Sequence, residues 1–320
     1  MPKIQSINRD NSRAKKFNLP RYGKKNLNIF ILTWRGETEA EHGFFNRLKK
    51  LGYEAGYTTF DAGQSTKALI NFLSKEFTTD NIDYIYTFGT SVSLLVAEKL
   101  RNSKSSVPQV FNVVSSPEKC NLVNNIHNGG NISGIKISVP IDLQIINARN
   151  FLKFKKLGVL VSTKDQNCID TYSQLVECSK KFGFEVQQIS VNKNKDLQNV
   201  ISKLETDRDK YQIDALFITA NSLFISNIKE ILEVVNELKI PSIAETEKMV
   251  AEGALFGTVS NYGMAGEMAA DIIAINQFGV QMDYIPLKKC EAYECINFNT
   301  LKILGMQCDI SCEVYYDNGE

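Results

Sequence analysis

Apolar residues along this chain alternate between short continuous runs and stretches in which they recur every third or fourth position. Continuous runs are typical of strands buried on both faces, and the spaced stretches are typical of amphipathic helices. One unit shows the whole pattern, with a β-branched and aromatic run over 82–86, a turn at Gly89 and helical spacing over 91–100. It predicts a strand, a tight turn and a helix that Thr90 or Ser91 caps with a side-chain oxygen.

The same alternation extends along the first half of the chain. It predicts strands at 27–34, 57–60, 82–86, 107–114 and 135–139, and helices at 39–51, 66–77 and 91–100. The spacing of the apolar positions therefore indicates successive strand–helix–strand units. Such units are typical of an α/β domain with a parallel sheet.

A second series of units follows. Strands are predicted at 157–163, 184–191, 213–220, 239–244 and 254–260, helices at 142–152, 169–182, 196–204, 226–238 and 266–279, and a helical turn at 249–253. Two series predict two parallel sheets, each flanked by helices. No shift of composition separates the series, so we expect two closely linked lobes instead of two domains on a flexible linker.

The composition fits two cores and narrows the class of protein. The chain has 320 residues, 43% of them hydrophobic, and a formal net charge of +1, which leaves no footprint for nucleic-acid binding. Seven cysteines are an odd number and do not indicate a disulfide framework. Cys290/Cys295 and Cys308/Cys312 are close pairs, but the two histidines lie elsewhere, so we predict no metal site.

The start of the chain carries no recognisable targeting signal. Residues 1–26 are polar and basic and lack an apolar period, so they predict a mobile tail. The run at 27–34 is about one strand long, and no stretch approaches the 18 or more apolar residues of a membrane span. The simplest explanation for the missing export signal is a start that omits a signal peptide.

Motifs of common enzymes are missing from the sequence. The chain has no G-x-x-x-x-G-K-[ST], no G-x-S-x-G, and no G-x-G-x-x-G after a strand. His42 lies in a predicted helix, His127 lies in a Gly/Asn loop, and Glu245 and Glu247 have no evident carboxylate partner across a cleft. We therefore predict a protein that is not an enzyme, because no acid or base can be placed.

A series of short motifs then resembles a known family. In order they are GF..L..LGY (43–53), IDYIYTFGTS (82–91), VPQVFNVVSSP (107–117), GGNISGI (129–135), KLGVLVS (156–162), IDALFITANSLFIS (213–226), IPSIAETEKMVAEGAL (240–255) and NYGMAGEMAADII (261–273). Their order resembles the ABC-transporter substrate-binding family, from about Asn28 to Gly305. Within it, the chain is similar to the branch whose members bind aromatic amino acids such as tryptophan.

The resemblance implies a fold and its domain boundaries. Members have the type I periplasmic-binding fold, in which two doubly wound, parallel-sheet α/β lobes are joined by three crossing segments around a ligand cleft. Here the resemblance implies a first lobe of residues 27–139 and 262–292, and a second lobe of residues 140–261 and 293–320. Asn131 and Ser133 are expected to shape the first crossing segment.

The resemblance also implies ligand-binding residues. In the first lobe, Thr90 and Ser91 would offer N–H and hydroxyl donors to a ligand carboxylate. Ser115 and Ser116 fall where relatives usually have an Asp-Pro turn, and this chain keeps the proline but lacks the aspartate. Glu245 of the second lobe could then neutralise a ligand ammonium.

Further candidates follow other predicted strands. Ser162, Asn167 and Asn221 are expected on the second-lobe wall, and Asn261 and Tyr262 at the second crossing segment, as hinge or cleft wall. Trp34 ends the first strand, where its indole would either stack on a planar ligand or fill the core. Arg35 and Glu37, in the same loop, are expected to gate the cleft.

The resulting interpretation is capture of a small polar ligand, an amino acid and possibly an aromatic one, between two closing lobes. The expected partner is an ABC permease in the membrane; no cofactor, no metal and no nucleic acid are expected, and the protein is expected to be a monomer. The resemblance implies a periplasmic location. The alternative is an intracellular ligand sensor on the same fold, although no helix-turn-helix precedes the first strand.

Overall fold

The computed structural model describes residues 23–123, 130–206, 211–307 and 314–316. Most of the predicted tail, residues 1–22, therefore lies outside the described residues, as do His127, Cys308 and Cys312. Residues 23–26 are held against the first lobe: the Lys24 backbone N–H donates to Gln277 Oε1 (2.8 Å), and Lys24 Nζ lies 2.6 Å from Asp83 Oδ1. The first strand begins at Asn26.

The first lobe is built on a six-stranded sheet. Its elements are β1 (Asn26–Thr33), α1 (Glu39–Lys50), β2 (Glu54–Asp61), α2 (Thr66–Lys75), β3 (Tyr84–Phe88), α3 (Thr90–Ser103), β4 (Gln109–Val114), β5 (Ile132–Lys136), α10 (Tyr262–Gln277), a 3-10 turn (Met282–Tyr284) and β11 (Lys288–Lys289). The strand order is β11-β5-β4-β3-β1-β2, with all neighbours parallel.

The second lobe is built on a seven-stranded sheet. Its elements are α4 (Ile141–Phe151), β6 (Lys156–Val161), α5 (Gln166–Phe182), β7 (Glu185–Ser190), α6 (Asn194–Thr206), β8 (Ala215–Ile218), α7 (Ser222–Ser226), α8 (Ile228–Glu237), β9 (Ser242–Ala244), α9 (Glu247–Ala251), β10 (Phe256–Ser260), β12 (Ala292–Asn297), α11 (Phe298–Leu304) and β13 (Val314–Tyr316). The order is β13-β12-β10-β9-β8-β6-β7.

The chain passes between the two sheets three times: after β5, after β10 and after β11. Helices flank each sheet, so the predicted architecture of two doubly wound α/β lobes joined by three crossing segments is confirmed. One pairing departs from the expectation of purely parallel sheets, because β12 runs antiparallel to β10. The antiparallel pairing results from the third pass. The chain enters β12 directly from β11, without the intervening helix that would let β12 run parallel to β10.

Several predicted boundaries were wrong for identifiable reasons. The helix predicted at 226–238 lies at Ile228–Glu237, and a short helix that was not predicted, Ser222–Ser226, precedes it. The two are separated at Asn227, whose Nδ2 donates to Leu223 O (2.7 Å). The strand predicted at 135–139 lies at Ile132–Lys136, where Gly134 passes directly over Phe111 in β4. A glycine inside a strand weakens the sequence signal but permits close backbone approach.

Local caps explain where helices begin and end. In α1 the Thr38 and Glu41 side chains and backbone N–H groups bond reciprocally, which is a capping box. In α5 the side chain of Asp165 accepts from the Asn167 N–H, and the helix ends at Gly183 in the left-handed conformation. These capping residues are local features of the sequence, so they determine where the helices begin and end independently of tertiary packing.

The contact between α1 and α10 is closer than side chains would allow. A Cβ on Gly43 would lie 2.1 Å from the Gly263 carbonyl oxygen, and one on Gly266 would lie 1.8 Å from the Ala40 oxygen. The pair packs on a core that includes Phe44, Ala269 and Ile273. This contact fixes α10, whose first residue is Tyr262, against the first lobe. Among the described helices, none is long and apolar enough to cross a membrane.

Candidate ligand-binding cleft

The predicted site residues lie at one kind of position, the carboxyl ends of parallel strands. The first-lobe candidates are Trp34 after β1, Thr90 and Ser91 after β3, and Ser115 and Ser116 after β4. The second-lobe candidates are Ser162 and Asn167 after β6, Asn221 after β8, Glu245 after β9, and Asn261 and Tyr262 after β10. Open α/β sheets bind ligands at these ends, so each lobe presents its candidates on its binding edge.

The turn before α3 differs from the prediction. The N-cap is Gly89 (φ 88°, ψ 157°), and no side chain caps the helix, so the prediction that Thr90 or Ser91 caps it was wrong. The Gly89 N–H donates to Asn112 O in β4, and Ser93 Oγ donates back to Gly89 O. Bonds to β4 and to Ser93 thus hold the turn, and no side chain accepts a hydrogen bond from the backbone N–H groups in the first turn of α3.

Trp34 packs where the two faces of the first sheet meet. Its half-buried side chain contacts the apolar clusters on both faces, and its Cβ lies 3.6 Å from the position of a Cβ on Gly89. The Gln64 N–H donates to Trp34 O at 2.7 Å, which holds this loop. These contacts position the indole beside the Gly89 turn; its stacking on a ligand stays a prediction.

Ser115 and Ser116 follow an irregular end of β4. The register with β5 shifts between Phe111 and Val114, and Val113 has φ 58°, a conformation that β-branched residues rarely adopt. The Asn112 side-chain oxygen accepts the Val113 N–H at 2.9 Å and stabilises this bend. Both serines are half-buried, and their contact with a ligand stays a prediction.

A cation and two aromatic rings form the first-lobe wall. The Arg35 guanidinium carbon lies 5.7 Å from the centroid of the Phe88 ring, and that centroid lies 6.1 Å from that of Tyr262. Burial raises the pKa of Tyr262, while Arg35 lowers it as a nearby positive charge and hydrogen-bond donor. The sequence indicated Arg35 only as a gate and gave no sign of its contact with α10.

A network of buried polar groups supports this wall from below. Tyr86 OH donates to Glu41 Oε1 (2.8 Å), and Asn112 Nδ2 donates to Tyr86 OH (3.0 Å). Glu41 is fully buried, and burial raises its pKa despite donors from Thr38 and Tyr86. The network joins α1, β3 and β4, so it fixes the two strands after which Thr90, Ser91, Ser115 and Ser116 lie.

On the second lobe, two helix starts are joined by their capping side chains. Asn221 Nδ2 donates to Asp165 Oδ2 (2.7 Å), while Asn221 Oδ1 accepts the Leu223 N–H. Asn221 is 8% exposed and both ends of its amide are occupied, so it positions the strand ends. Asn167 is exposed, and Ser162 donates to Asn192 at 3.4 Å, toward β7. No sequence signal paired Asp165 with Asn221, which are far apart in the chain.

Glu245 is a half-buried carboxylate held by donors. The Ala220 N–H donates to its Oε2 at 2.7 Å, and Thr171 Oγ1 donates to its Oε1 at 3.2 Å. Burial raises the pKa of Glu245 to about 7, and the negative charge of Asp165 adds to the rise, whereas donors from Ala220, Thr171 and Gln144 oppose it. No lysine, arginine or histidine of the described ranges pairs with it.

Two neighbours of Glu245 were missed from the sequence. Gln144 of α4 is 2% exposed, and its Nε2 donates to Val139 O on the first crossing segment. Thr171 lies one turn inside α5. Both belong to helices that pack beside β9 and β10 only in three dimensions, so no local pattern could associate them with Glu245.

The crossing segments meet at Asn261 and Cys290. Asn261 caps α10 by accepting the Met264 N–H at 2.8 Å, and its role as a hinge or cleft wall stays a prediction. The Cys290 thiol donates to Asn261 O (3.3 Å), and its N–H donates to Lys136 O (3.1 Å). One buried residue of the third pass therefore contacts the second pass and the end of β5, where the first pass begins. Within the described residues, no group of His, Cys, Asp and Glu could hold a metal ion.

A family model described as ABC transporter substrate binding protein matches residues 29–316. The chain belongs to this family. Its members bind small molecules and deliver them to ABC permeases, and they are typically extracellular or periplasmic. The match extends over both lobes and all three crossing segments, so the resemblance drawn from short motifs is confirmed.

Individual relatives agree with this assignment. The Tyrosine-binding protein of Clostridioides difficile (strain R20291) is 28% identical over 307 residues, which cover 93% of this chain and 86% of that protein. The structure of an ABC domain in complex with L-Trp from Streptococcus pneumonia has a TM-score of 0.78 at 17% identity and covers 91% of this chain and 99% of its own.

A ligand-free, open structure of a substrate binding protein with adhesive properties from Clostridium difficile has a TM-score of 0.72 at 24% identity, covering 92% of this chain and 100% of its own. At these identities the solved structures establish the fold. A leucine binding protein from Thermotoga maritima shares it more distantly, with a TM-score of 0.59.

Proposed function

We propose that this protein captures an amino acid, with L-tyrosine and L-tryptophan the foremost candidates, between its two lobes and presents it to an ABC permease. The observation that carries the proposal is Glu245, a half-buried carboxylate at the second-lobe binding edge with no cationic partner among the described residues. A ligand ammonium would supply that partner. Relatives named for tyrosine and bound to L-Trp support the choice of candidates.

The first-lobe candidates suit the rest of such a ligand. Trp34 and Tyr262 present partly exposed aromatic surface near the Gly89 turn, with the buried Phe88 ring beside Tyr262, and an aromatic contact contributes about 0.5–1.5 kcal/mol beyond burial. Thr90, Ser91, Ser115 and Ser116 add polar groups along the same edge. We propose that Ser162, Asn167 and Asn221 act on the second lobe mainly by shaping its wall, since the bonds of Ser162 and Asn221 are made within the lobe.

We propose lobe boundaries at 139/140, 261/262 and 292/293, next to the three crossing segments. The lobes would close as rigid units, and the ligand would favour the closed form by its extra affinity for that form. The protein would then act by binding alone, as a monomer outside the cytoplasmic membrane, without cofactor, metal or nucleic acid. If the protein only binds L-tyrosine, NMR spectra should show the amino acid unchanged after incubation with the protein. A new product signal would indicate catalysis.

The test is calorimetry and thermal unfolding with L-tyrosine, L-tryptophan, L-phenylalanine, L-leucine, ribose and adenosine. A ligand at 100 times its Kd adds about 2.7 kcal/mol to the free energy of unfolding. We expect an aromatic amino acid to give that shift. Glu245→Gln should raise the Kd of that amino acid at least about tenfold, since a charge-assisted bond contributes about 1.5–3 kcal/mol. Glu233→Gln, an exposed site on α8, is the matched control. A shift with ribose or adenosine alone would leave the family intact and overturn the amino-acid proposal.

The affinity for an amino acid should also depend on pH. The Glu245 carboxyl, whose pKa is raised to about 7, must be ionised to attract an ammonium, so protonation weakens binding. We expect the Kd for L-tyrosine to rise between pH 8 and pH 5.5 in the wild type and to stay nearly constant in Glu245→Gln. Equal pH dependence in both proteins would remove Glu245 from the ammonium site.

A further inference from the structure

Arg35 is an isolated cation on the binding edge of the first lobe. It follows β1 directly, is half-buried, and forms no ion pair with any carboxylate of the residues that the structure describes. Its hydrogen-bond partner is the Tyr262 hydroxyl and not a carboxylate. Arg47, by contrast, pairs with the Asp271 carboxylate at 2.7 Å. A half-buried guanidinium has donors to spare and favours a planar anion that accepts two bonds at once.

Arg35 lies between an aromatic ring of the first lobe and the first residue of α10. Its guanidinium lies over the Phe88 ring at 5.7 Å and beside the Tyr262 hydroxyl, on the same edge as the uncapped first turn of α3. The positive end of a helix and a guanidinium attract the same anion. The two rings restrict the guanidinium, so less entropy is lost when it binds.

Arg35 and Glu245 act on one residue from opposite lobes. The ring of Tyr262, the first residue after the second crossing segment, lies 6.1 Å from the Phe88 ring over which the Arg35 guanidinium lies. Arg35 lowers the pKa of Tyr262 and the negative charge of Glu245 raises it. Neither charge has an ion-pair partner among the described residues, and they have opposite signs. A zwitterion placed beside Tyr262 would pair with both.

We infer that Arg35 binds the carboxylate of the captured amino acid from the first lobe while Glu245 binds its ammonium from the second. This inference rests on the proposed function and moves the main carboxylate contact from Thr90 and Ser91 to Arg35. The backbone of one amino acid then bridges the lobes, and a ligand that lacks either charge loses one half of the bridge. The site thereby selects free α-amino acids over the corresponding amines and acids.

The test uses ligands that each lack one charge. Calorimetry of the whole chain compares L-tyrosine with tyramine, which has no carboxylate, and with 3-(4-hydroxyphenyl)propionate, which has no ammonium. Tryptophan, tryptamine and indole-3-propionate form a parallel series. We expect Arg35→Gln to lower the affinity for L-tyrosine about 10- to 100-fold and the affinity for tyramine by less than about twofold, because only L-tyrosine has the carboxylate. Lys49→Gln, which removes an exposed positive charge from α1, should change neither.

Each result has a distinct meaning. If Arg35→Gln weakens L-tyrosine and tyramine equally, Arg35 merely holds Tyr262 and the inference is wrong; if it weakens neither, the α3 turn alone binds the carboxylate and the inference is also wrong. If Arg35→Gln does not fold, Arg35→Lys, which keeps the charge but loses the planar fork, should lower the ratio of L-tyrosine to tyramine affinity. Wild-type protein that binds none of the amino acids would overturn the proposed function itself.

Discussion

At the scale of single residues, backbone conformation at Gly89 decides the shape of the first-lobe binding edge. The residue lies at φ 88° and ψ 157°, a region that only glycine occupies without strain. A Cβ there would meet only Trp34 Cβ at 3.6 Å, which is ordinary contact. The requirement for glycine is therefore conformational. The neighbouring Thr90 and Ser91 looked like capping residues in the sequence because short polar side chains often are.

Two substitutions separate these roles. Gly89→Ala should lower the free energy of unfolding by about 1–3 kcal/mol through backbone strain alone. Ser91→Ala should change it by less than about 0.5 kcal/mol, since Ser91 is exposed and caps nothing. Urea unfolding of both variants measures this. A loss near 1 kcal/mol in Ser91→Ala would restore the capping role that the structure rejects.

Glu245 should also make the stability of the ligand-free protein depend on pH. Its folded pKa is raised from 4.5 to about 7, so the folded protein holds this proton more tightly than the unfolded chain does. The resulting stability is fully present below pH 4.5 and is lost as the pH rises through about 7. The loss is at most about 3 kcal/mol by linkage.

Glu245→Gln keeps a neutral side chain and should escape this loss. We expect the variant to match the wild type near pH 5 and to exceed it in free energy of unfolding near pH 8. The raised pKa of Glu41 acts in the same direction but is common to both proteins, so their difference isolates Glu245. Glu233→Gln should follow the wild type throughout. If Glu245→Gln shows the same pH dependence of stability as the wild type, the pKa of Glu245 is not raised by folding.

At the scale of elements, the α1–α10 contact transmits structure from the core to the cleft. Gly43 and Gly266 let the two helix backbones touch, and α10 begins at Tyr262, whose ring lies beside that of Phe88. In the sequence, Gly43 falls inside a predicted helix, where glycine usually costs stability relative to alanine. Only the packing of the second helix explains why glycine stands there.

Gly43→Ala should therefore destabilise the protein despite its better helix propensity. The added methyl would meet the Gly263 carbonyl at 2.1 Å, and the backbone must shift, which typically costs about 1–3 kcal/mol. Asn46→Ala, on the exposed face of the same helix, should be neutral or slightly stabilising. Urea unfolding measures both. A more stable Gly43→Ala would show that the helices can move apart freely.

At the scale of the whole molecule, the three passes between sheets determine what can move. Cys290 lies on the third pass and contacts both Asn261 of the second pass and Lys136 at the end of β5, where the first pass begins. The passes therefore form one packed joint. Each lobe has its own buried cores. Motion at the joint would leave both cores intact and change only the distance between the two binding edges.

L-tyrosine should accordingly reduce the radius of gyration of the wild-type protein in X-ray solution scattering. Opposite charges on Arg35 and Glu245 both contribute only when the lobes approach, so the ligand favours the closed form. The double variant Arg35→Gln/Glu245→Gln should keep its ligand-free radius at the same L-tyrosine concentration. A wild-type radius that is constant while calorimetry shows binding would argue against closure by a bridging ligand.

The sequence by itself determined the class of fold and the edge on which a ligand would bind. Buried strands and amphipathic helices follow from the local spacing of apolar residues, and the carboxyl ends of parallel strands follow from chain direction. Glu245, Thr90 and Trp34 could thus be placed at strand ends without coordinates. The ordered short motifs were also sufficient to reveal the family.

Only the tertiary structure decided which side chains work together. The contact of Arg35 with Tyr262, the donors from Thr171 and Gln144 to Glu245, and the bond of Asn221 to Asp165 join residues that are distant in the chain. The left-handed Gly89 turn and the re-entry of β12 likewise depend on neighbouring strands. Local patterns record the preferences of a segment, whereas charge pairing, burial and pKa depend on what other segments bring beside it.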